Sequence, residues 1–372
     1  MKHKRVAVVA SAQTELRPAW NGAQHVDLIS AVVSAVFKGT GLGIPDVDFV
    51  IDSGSDVLDG RSISNCGFLG AMGAHHKEES RVEEDGLWAA LYGATKIAAG
   101  GASVGLIIAY SKPSESDINL FYASQCEPFY QRPVGFDHRA ASGMQAQRYL
   151  AQHGVTPRQL AELVAARWQD AASRGRVQID TCPTPEQVLA APNAARPLTS
   201  LMMSRPVDGA IAVLLASEEI AMRSSRSPAW ITGLGSSMES HAFASRRPGV
   251  LEGCETAARR ALSRAGLDAR SASIAEVSGS SAVGELMVLE ALGIADSGGA
   301  LAMLGGTDIA INRSGGALPA DPVMATGLVR LSEAYRQLAY PGMYGLRSPT
   351  SAIVHGAGGV GMQSHCVVTL EV

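Results

Sequence analysis

Several things are scarce in this sequence, and each shortage excludes a class of protein. Charge is scarce: 18% of the 372 residues are charged, and the net charge is −4. No basic excess offers a face to nucleic acid or to an anionic membrane. Cysteine is scarce and unpatterned. Cys66, Cys126, Cys182, Cys254 and Cys366 are scattered, odd in number and without CxxC spacing. That points to neither a disulfide framework nor a zinc site. Long apolar runs are missing: no stretch approaches the roughly 18 residues that a membrane-spanning helix needs. The basic start MKHKR precedes an apolar run too short for a signal sequence, which reads as a first strand. A cytoplasmic protein with no membrane or nucleic-acid partner is the expectation. What is abundant is apolar residues, 46% of the chain, and glycine, 40 in all. The composition is too apolar for disorder, and the length allows two cores. Paired glycines imply tight turns and close backbone approaches in an α/β protein.

The order of elements supports this. Strand patterns at 6–10, 49–52 and 104–110 alternate with helical spacing at 25–37 and 86–99. Short joints between them predict a parallel sheet with right-handed crossovers. Composition then shifts. From 112 to 200 the chain has proline clusters, a polar amphipathic helix at 157–174 and few strand runs. It reads as an inserted loop or cap domain. A strand at 207–217 returns the chain to the first sheet, and a helix starts at 218. A second unit follows with strands at 230–233, 274–277, 351–355 and 366–370 and helices at 253–265, 285–292 and 323–338. The two halves repeat one plan, so the predicted fold is two duplicated α-β-α halves in five layers, with the site between them. The boundaries predicted are 1–111 and 201–227 for the first half, 112–200 for the insert and 228–372 for the second half.

Three motifs carry candidate chemistry. The run GAGGVG at 356–361 matches GxGxxG, but the residues after it read as strand, not helix. A dinucleotide fingerprint needs the helix; the run reads instead as a strand-to-strand connection lining a pocket. His75 and His76 have no cysteine or carboxylate at metal spacing and read as solvated or packed, so no metal ligand is assigned. In NRSGGALPADPV at 312–323, two glycines and two prolines build a rigid loop that delivers Asp321 to a helix N-terminus, where capping is the plainest role. Finally, RVEEDG at 81–86 sets Glu83, Glu84 and Asp85 before a helix of small residues. That arrangement serves either capping or chemistry.

Five stretches in order, at 207–221, 253–267, 276–293, 312–327 and 354–361, together resemble the thiolase superfamily, and most closely its sterol-carrier/lipid-transfer branch. The resemblance covers nearly the whole chain. It implies the thiolase fold and a dimer built through the N-terminal half. It also implies a coenzyme A thioester as ligand, with no covalently bound cofactor, approached by the glycine loops at Gly315, Gly316, Gly356, Gly358 and Gly359. The family's nucleophilic Cys stands in a Cys-x-Ser-Gly-type turn. With that turn's Gly on Gly86, Ile97 and Gly100 also match, and the nucleophile falls on Glu83. The family's His or Asn falls on Ser278, followed by Gly279, Ser280 and Ser281. The His of Gly-His-Pro falls on Asp321, before Pro322, and the second Cys of Cys-x-Gly on His355, before Gly356.

A thiolate at a helix N-terminus is the nucleophile of such enzymes, and a carboxylate is a poor recyclable acyl carrier. Three functions follow. The first is a catalytically degenerate subunit that pairs with an active thiolase-like chain or a small accessory protein. The second is a retro-aldol or related C–C lyase on an acyl-CoA, with Glu83, Asp321 and His355 as acid–base groups. The third is a thiolase with a displaced nucleophile, Cys66 or Cys366, though neither stands at a suitable helix start.

Overall fold

The computed structural model describes residues 4–224, 227–304 and 309–372. The first half contributes strands β1 (Val6–Gln13), β2 (Phe49–Ser53), β3 (Glu78–Val82), β4 (Val104–Ser111) and β5 (Gly209–Ser217). The second contributes β6 (Ala229–Met238), β7 (Ile274–Glu276), β8 (Ala310–Ile311), β9 (Ser351–Gly358) and β10 (Ser364–Glu371). All ten form one sheet in the order β8-β7-β9-β10-β6-β1-β5-β4-β2-β3. Outward from the β1–β6 joint, each half runs through the same sequence of strands, so the duplication predicted from the element order is visible in the topology. The joint itself is short: Val6, Ala7 and Val8 pair antiparallel with Ile231, Trp230 and Ala229.

The predicted parallel sheet is corrected to a mixed one. β2 pairs parallel with β3 and β4, but β5 lies antiparallel between β1 and β4. Its direction follows from the long connection through 112–208, which returns the chain to the same end of the sheet, so that Ser111 at the end of β4 pairs with Gly209 at the start of β5. Every residue of β5 is buried, as the unbroken apolar run GAIAVLLAS requires.

Helices stack on these strands in layers. α1 (His25–Val36) covers one outer face of the first half. α2 (Gly86–Ala98) and α8 (Thr326–Ala339) lie between the two halves and share one core with the inner faces of both. α6 (Glu252–Ala265) and α7 (Ala282–Ala291) cover the other outer face. The segment between β4 and β5 carries α3 (Ile118–Ser124), α4 (His138–His153) and α5 (Pro157–Arg174). α5 shows why such helices begin and end where they do. Thr156 accepts from the Gln159 amide in a reciprocal capping box, Pro157 fills the first turn, and Gly175 ends the helix in the left-handed conformation.

α8 is buried on all sides although it carries charge. Its Arg330 meets Glu276 at 2.9 Å, and Gln337 donates to the other oxygen of Glu276 at 2.7 Å. Burying these groups is tolerable because each has a partner. Gly86 lies where α2 packs tightly on both β4 and α8: a Cβ there would sit 2.8 Å from the Cβ atoms of both Ala109 and Leu328. Gly86→Ala is expected to cost about 1–3 kcal/mol by overpacking. Denaturant titration should show a lower midpoint with an unchanged slope.

Candidate active site

Because α2 and α8 are equivalent helices of the two halves, both N-termini reach the same place. Asp85 joins them. It is the N-cap of α2, where its Oδ1 accepts from the Leu87 amide at 2.9 Å. Its Oδ2 accepts from the Gly327 amide, in the first turn of α8, at 2.6 Å. Gly327 is required by contact, since a Cβ there would lie 2.0 Å from Oδ1 of Asp85. Two helix N-termini and two N–H donors favour the anion. Burial opposes them, and with Asp321 and Glu84 nearby it pushes the Asp85 carboxyl up to about 7.

A cavity of about 560 Å³ opens beside this junction, a volume suited to a substrate-sized ligand. Glu83, Glu84, Asp85 and Asp321 line it, together with Tyr122, His138, Ser204 and Ser278. The Glu84 carboxylate accepts from the Ser364 hydroxyl at 2.9 Å, and burial raises its pKa. Asp321 is held by three donors, the Ser204 hydroxyl at 2.6 Å, the Thr326 hydroxyl at 2.5 Å and the Val323 amide at 3.0 Å. Val323, also in the lining, has φ +42°, a strained conformation for a β-branched residue. The rings of Tyr122 and His138 stack with centroids 4.1 Å apart. Burial pushes the Tyr122 phenol up and the His138 imidazole down to about 4. At neutral pH His138 is therefore uncharged, and its Nδ1 is buried without a hydrogen-bond partner.

The residues predicted from the sequence separate into groups. Glu83, Ser278 and Asp321 meet in the cavity wall. Glu83 stands at the rim with its side chain 53% exposed, accepting from the Asp56 amide at 2.9 Å and 3.7 Å from Arg81 Nε. Ser278 is buried and its hydroxyl is unpartnered. His355 does not join them. Strand alternation turns Gly356 toward Asp85 and Leu87 and His355 to the opposite face, where it is wholly buried beside His365. Gly358 and Gly359 line the cavity and Gly356 backs onto α2. Gly315 packs instead on Ala171 and Arg167 of α5, and Gly316 on Asn312. The run at 356–361 is the strand-to-strand turn expected, with β9 and β10 antiparallel on either side.

No cysteine or lysine is in the cavity lining among the described residues. Cys66 is exposed on the surface, while Cys366 is fully buried, its thiol pushed up by burial and by the Asp85 and Glu84 carboxylates. Tyr122, His138 and Ser204 were not legible as site residues, since nothing in their local sequence marks them. They arrive from the segment between β4 and β5. Among the described residues no helix is long and apolar enough to cross a membrane.

Asp85 gives a test of this geometry. Its pKa is higher folded than the ordinary 3.8, so the folded state binds the extra proton between about pH 4 and about pH 7. Stability therefore falls as pH rises through that window and levels off above it. Unfolding midpoints of Asp85→Asn should lack this component of the slope. Asp85→Ala should lose about 2–4 kcal/mol, because two buried amides are left without an acceptor.

Comparison with known proteins adds context. Residues 235–371 match the family described as Thiolase C-terminal domain-like. An acetyl-CoA acetyltransferase of Methanothermobacter thermautotrophicus is 28% identical over 250 residues, 64% of this chain and 65% of that protein. The match thus spans a little under two thirds of that relative. A second acetyl-CoA acetyltransferase, from Methanocaldococcus jannaschii, is 25% identical over 90% of this chain and 89% of its own length. Among solved structures, the Ltp2-ChsH2(DUF35) aldolase is similar with a TM-score of 0.83 at 20% identity, covering 99% of this chain and 98% of that one. Human mitochondrial 3-ketoacyl-CoA thiolase in complex with CoA is similar with a TM-score of 0.76 at 18% identity, covering 99% and 98%.

Proposed function

The chain belongs to the thiolase superfamily, and from that premise we propose that it acts on a coenzyme A thioester as an acid–base carbon–carbon lyase of the retro-aldol type. The observation that carries this reading is the cavity wall: carboxylates, an uncharged imidazole and a phenol converge at the paired helix N-termini, and no thiol is among the lining residues described. A fold-similar thiolase that holds CoA supports the ligand class, and a fold-similar aldolase supports the reaction class.

The reaction requires no acyl-enzyme. A base takes the hydroxyl proton of a β-hydroxyacyl thioester. The bond between the α and β carbons breaks as a carbonyl forms at the β carbon. The electron pair moves to the thioester as an enolate, which takes up a proton to give the shortened acyl-CoA. We assign the base to His138, which is neutral and has a free nitrogen, and proton return to Glu84, whose carboxyl is raised by burial. Asp321 and Asp85 are committed to several donors each and position the site. This revises the acid–base set expected from the sequence. Glu83 is displaced to the rim, and His355 leaves the set.

Glu84→Gln and His138→Asn should each lower turnover of a β-hydroxyacyl-CoA by about 100-fold or more, while Glu83→Gln changes it only a few-fold. Mass spectrometry of the released carbonyl and the shortened thioester provides the readout. Thiolysis of a 3-ketoacyl-CoA by the purified chain, with no cleavage of the β-hydroxy compound, would sink the reading.

The second reading, a non-catalytic subunit of a thiolase-like assembly, is favoured by the commitment of both Asp85 oxygens to backbone amides. In either reading the chain is proposed to pair, with a second copy, a related chain or a small accessory protein. β3 ends the sheet with its residues half-buried or exposed, and the fold-similar aldolase is an Ltp2-ChsH2(DUF35) assembly by its description. A partnered assembly whose cleavage is unchanged by Glu84→Gln and His138→Asn in this chain is the result that selects the second reading.

A further inference from the structure

The acid–base reading leaves unused a cluster on the outer face of the β9–β10 pair. Cys254 stands on α6, His355 on β9 and His365 on β10, and all three are 0% exposed. One metal-ligating atom of each lies within 4.8 Å of the other two. The facing nitrogens, Nε2 of His355 and Nδ1 of His365, are 3.1 Å apart. The outer nitrogens, Nδ1 of His355 and Nε2 of His365, are buried and make no well-formed hydrogen bond. Each ring nevertheless lies against acceptors. For His355 this is the backbone carbonyl of Ser278. For His365 it is that of Met362, with Glu239 Oε1 3.8 Å from Nε2.

Counting protons exposes a mismatch. Two neutral imidazoles carry two N–H protons. Three positions call for one: the gap between the rings and the two outer nitrogens, both buried away from water. A third proton would make an imidazolium, a charge in a pair of rings that are both wholly buried. A cation between the rings removes the conflict. It takes the two facing lone pairs and leaves both protons on the outer nitrogens, directed at a carbonyl or carboxylate. That outer arrangement is the usual surrounding of a metal-bound histidine. The cation would also draw the buried Cys254 thiol into the thiolate form, the form in which cysteine binds a metal. One divalent ion, one thiolate and the Glu239 carboxylate then sum to no net charge.

We propose that Cys254, His355 and His365 bind a borderline-soft divalent cation, Zn(II), which fastens α6 to the β9–β10 pair. Tetrahedral zinc sets its nitrogen and sulfur ligands about 3.3–3.6 Å apart. The nitrogens, 3.1 Å apart, are already close to that spacing, and Cys254, within 4.8 Å of them, needs to move inward by at most about 1 Å. The ligands come from positions 254, 355 and 365, with no short spacing between them, which is why the sequence reading assigned no metal.

The test is the zinc content of the full chain purified from zinc-supplemented expression, measured by inductively coupled plasma mass spectrometry. About one zinc per chain is expected, falling below about a tenth in Cys254→Ser and in His365→Asn. Cobalt-loaded protein should show tetrahedral and thiolate charge-transfer absorption that Cys254→Ser abolishes. Wild-type chain that takes up neither zinc nor cobalt overturns the proposal, whether or not the variants fold. Zinc retained undiminished in both variants overturns it as well. The cavity residues are untouched by these changes, so the lyase reading stands or falls separately.

Discussion

The molecule depends on one carboxylate shared between two helices. Asp85 accepts from an amide of α2 and an amide of α8, and those helices form the middle layer on which both halves of the sheet rest. A single buried acid thus fixes the mutual position of two helix N-termini, and with it the floor of the cavity. Bridging two positive helix ends with one negative group also lowers their mutual repulsion. The glycine at 327 follows from the same constraint, because the carboxylate leaves no room for a side chain there.

Placed against that floor, the cavity groups divide by environment. Glu84 and Asp85 are raised by burial, His138 is lowered by it, and Asp321 is gripped by hydroxyls and an amide. Groups with protonation preferences pushed in opposite directions, in one wall, are what proton transfer at neutral pH requires. A thiolase needs a stabilised thiolate instead. The buried thiol beside these acids, Cys366, is held in its neutral form by its burial and, after that, by the same carboxylates.

Much of the fold was legible because it rests on periodicity. Apolar runs such as GAIAVLLAS, amphipathic spacing such as that of 157–174, and the repeated element order marked strands, helices and duplication. The mixed direction of the sheet was not legible, since pairing partners are set by the long segment between β4 and β5. The site was legible only in part. Loops tied to a helix start, at Glu83 and Asp321, could be placed by counting from Gly86 and Pro322. His355 could not, because a strand residue faces one side or the other according to a register that the sequence alone leaves open. The more buried acids of the cavity wall, Glu84 and Asp85, stand one and two residues from Glu83, and local capping signals do not rank three adjacent acids. Tyr122 and His138 come from a segment whose docking is purely tertiary.

The short β1–β6 joint has a further consequence. Three paired residues make one chain the analogue of two associated copies, with the strand order mirrored about the seam. In a true pair of identical copies, any change at one helix end appears at both. A single chain carries no such bond. One half sets three acids before its central helix while the other sets a rigid proline loop and its hydroxyl-held aspartate. The asymmetry of the cavity is a freedom that covalent linkage allows, and its wall is drawn from both halves.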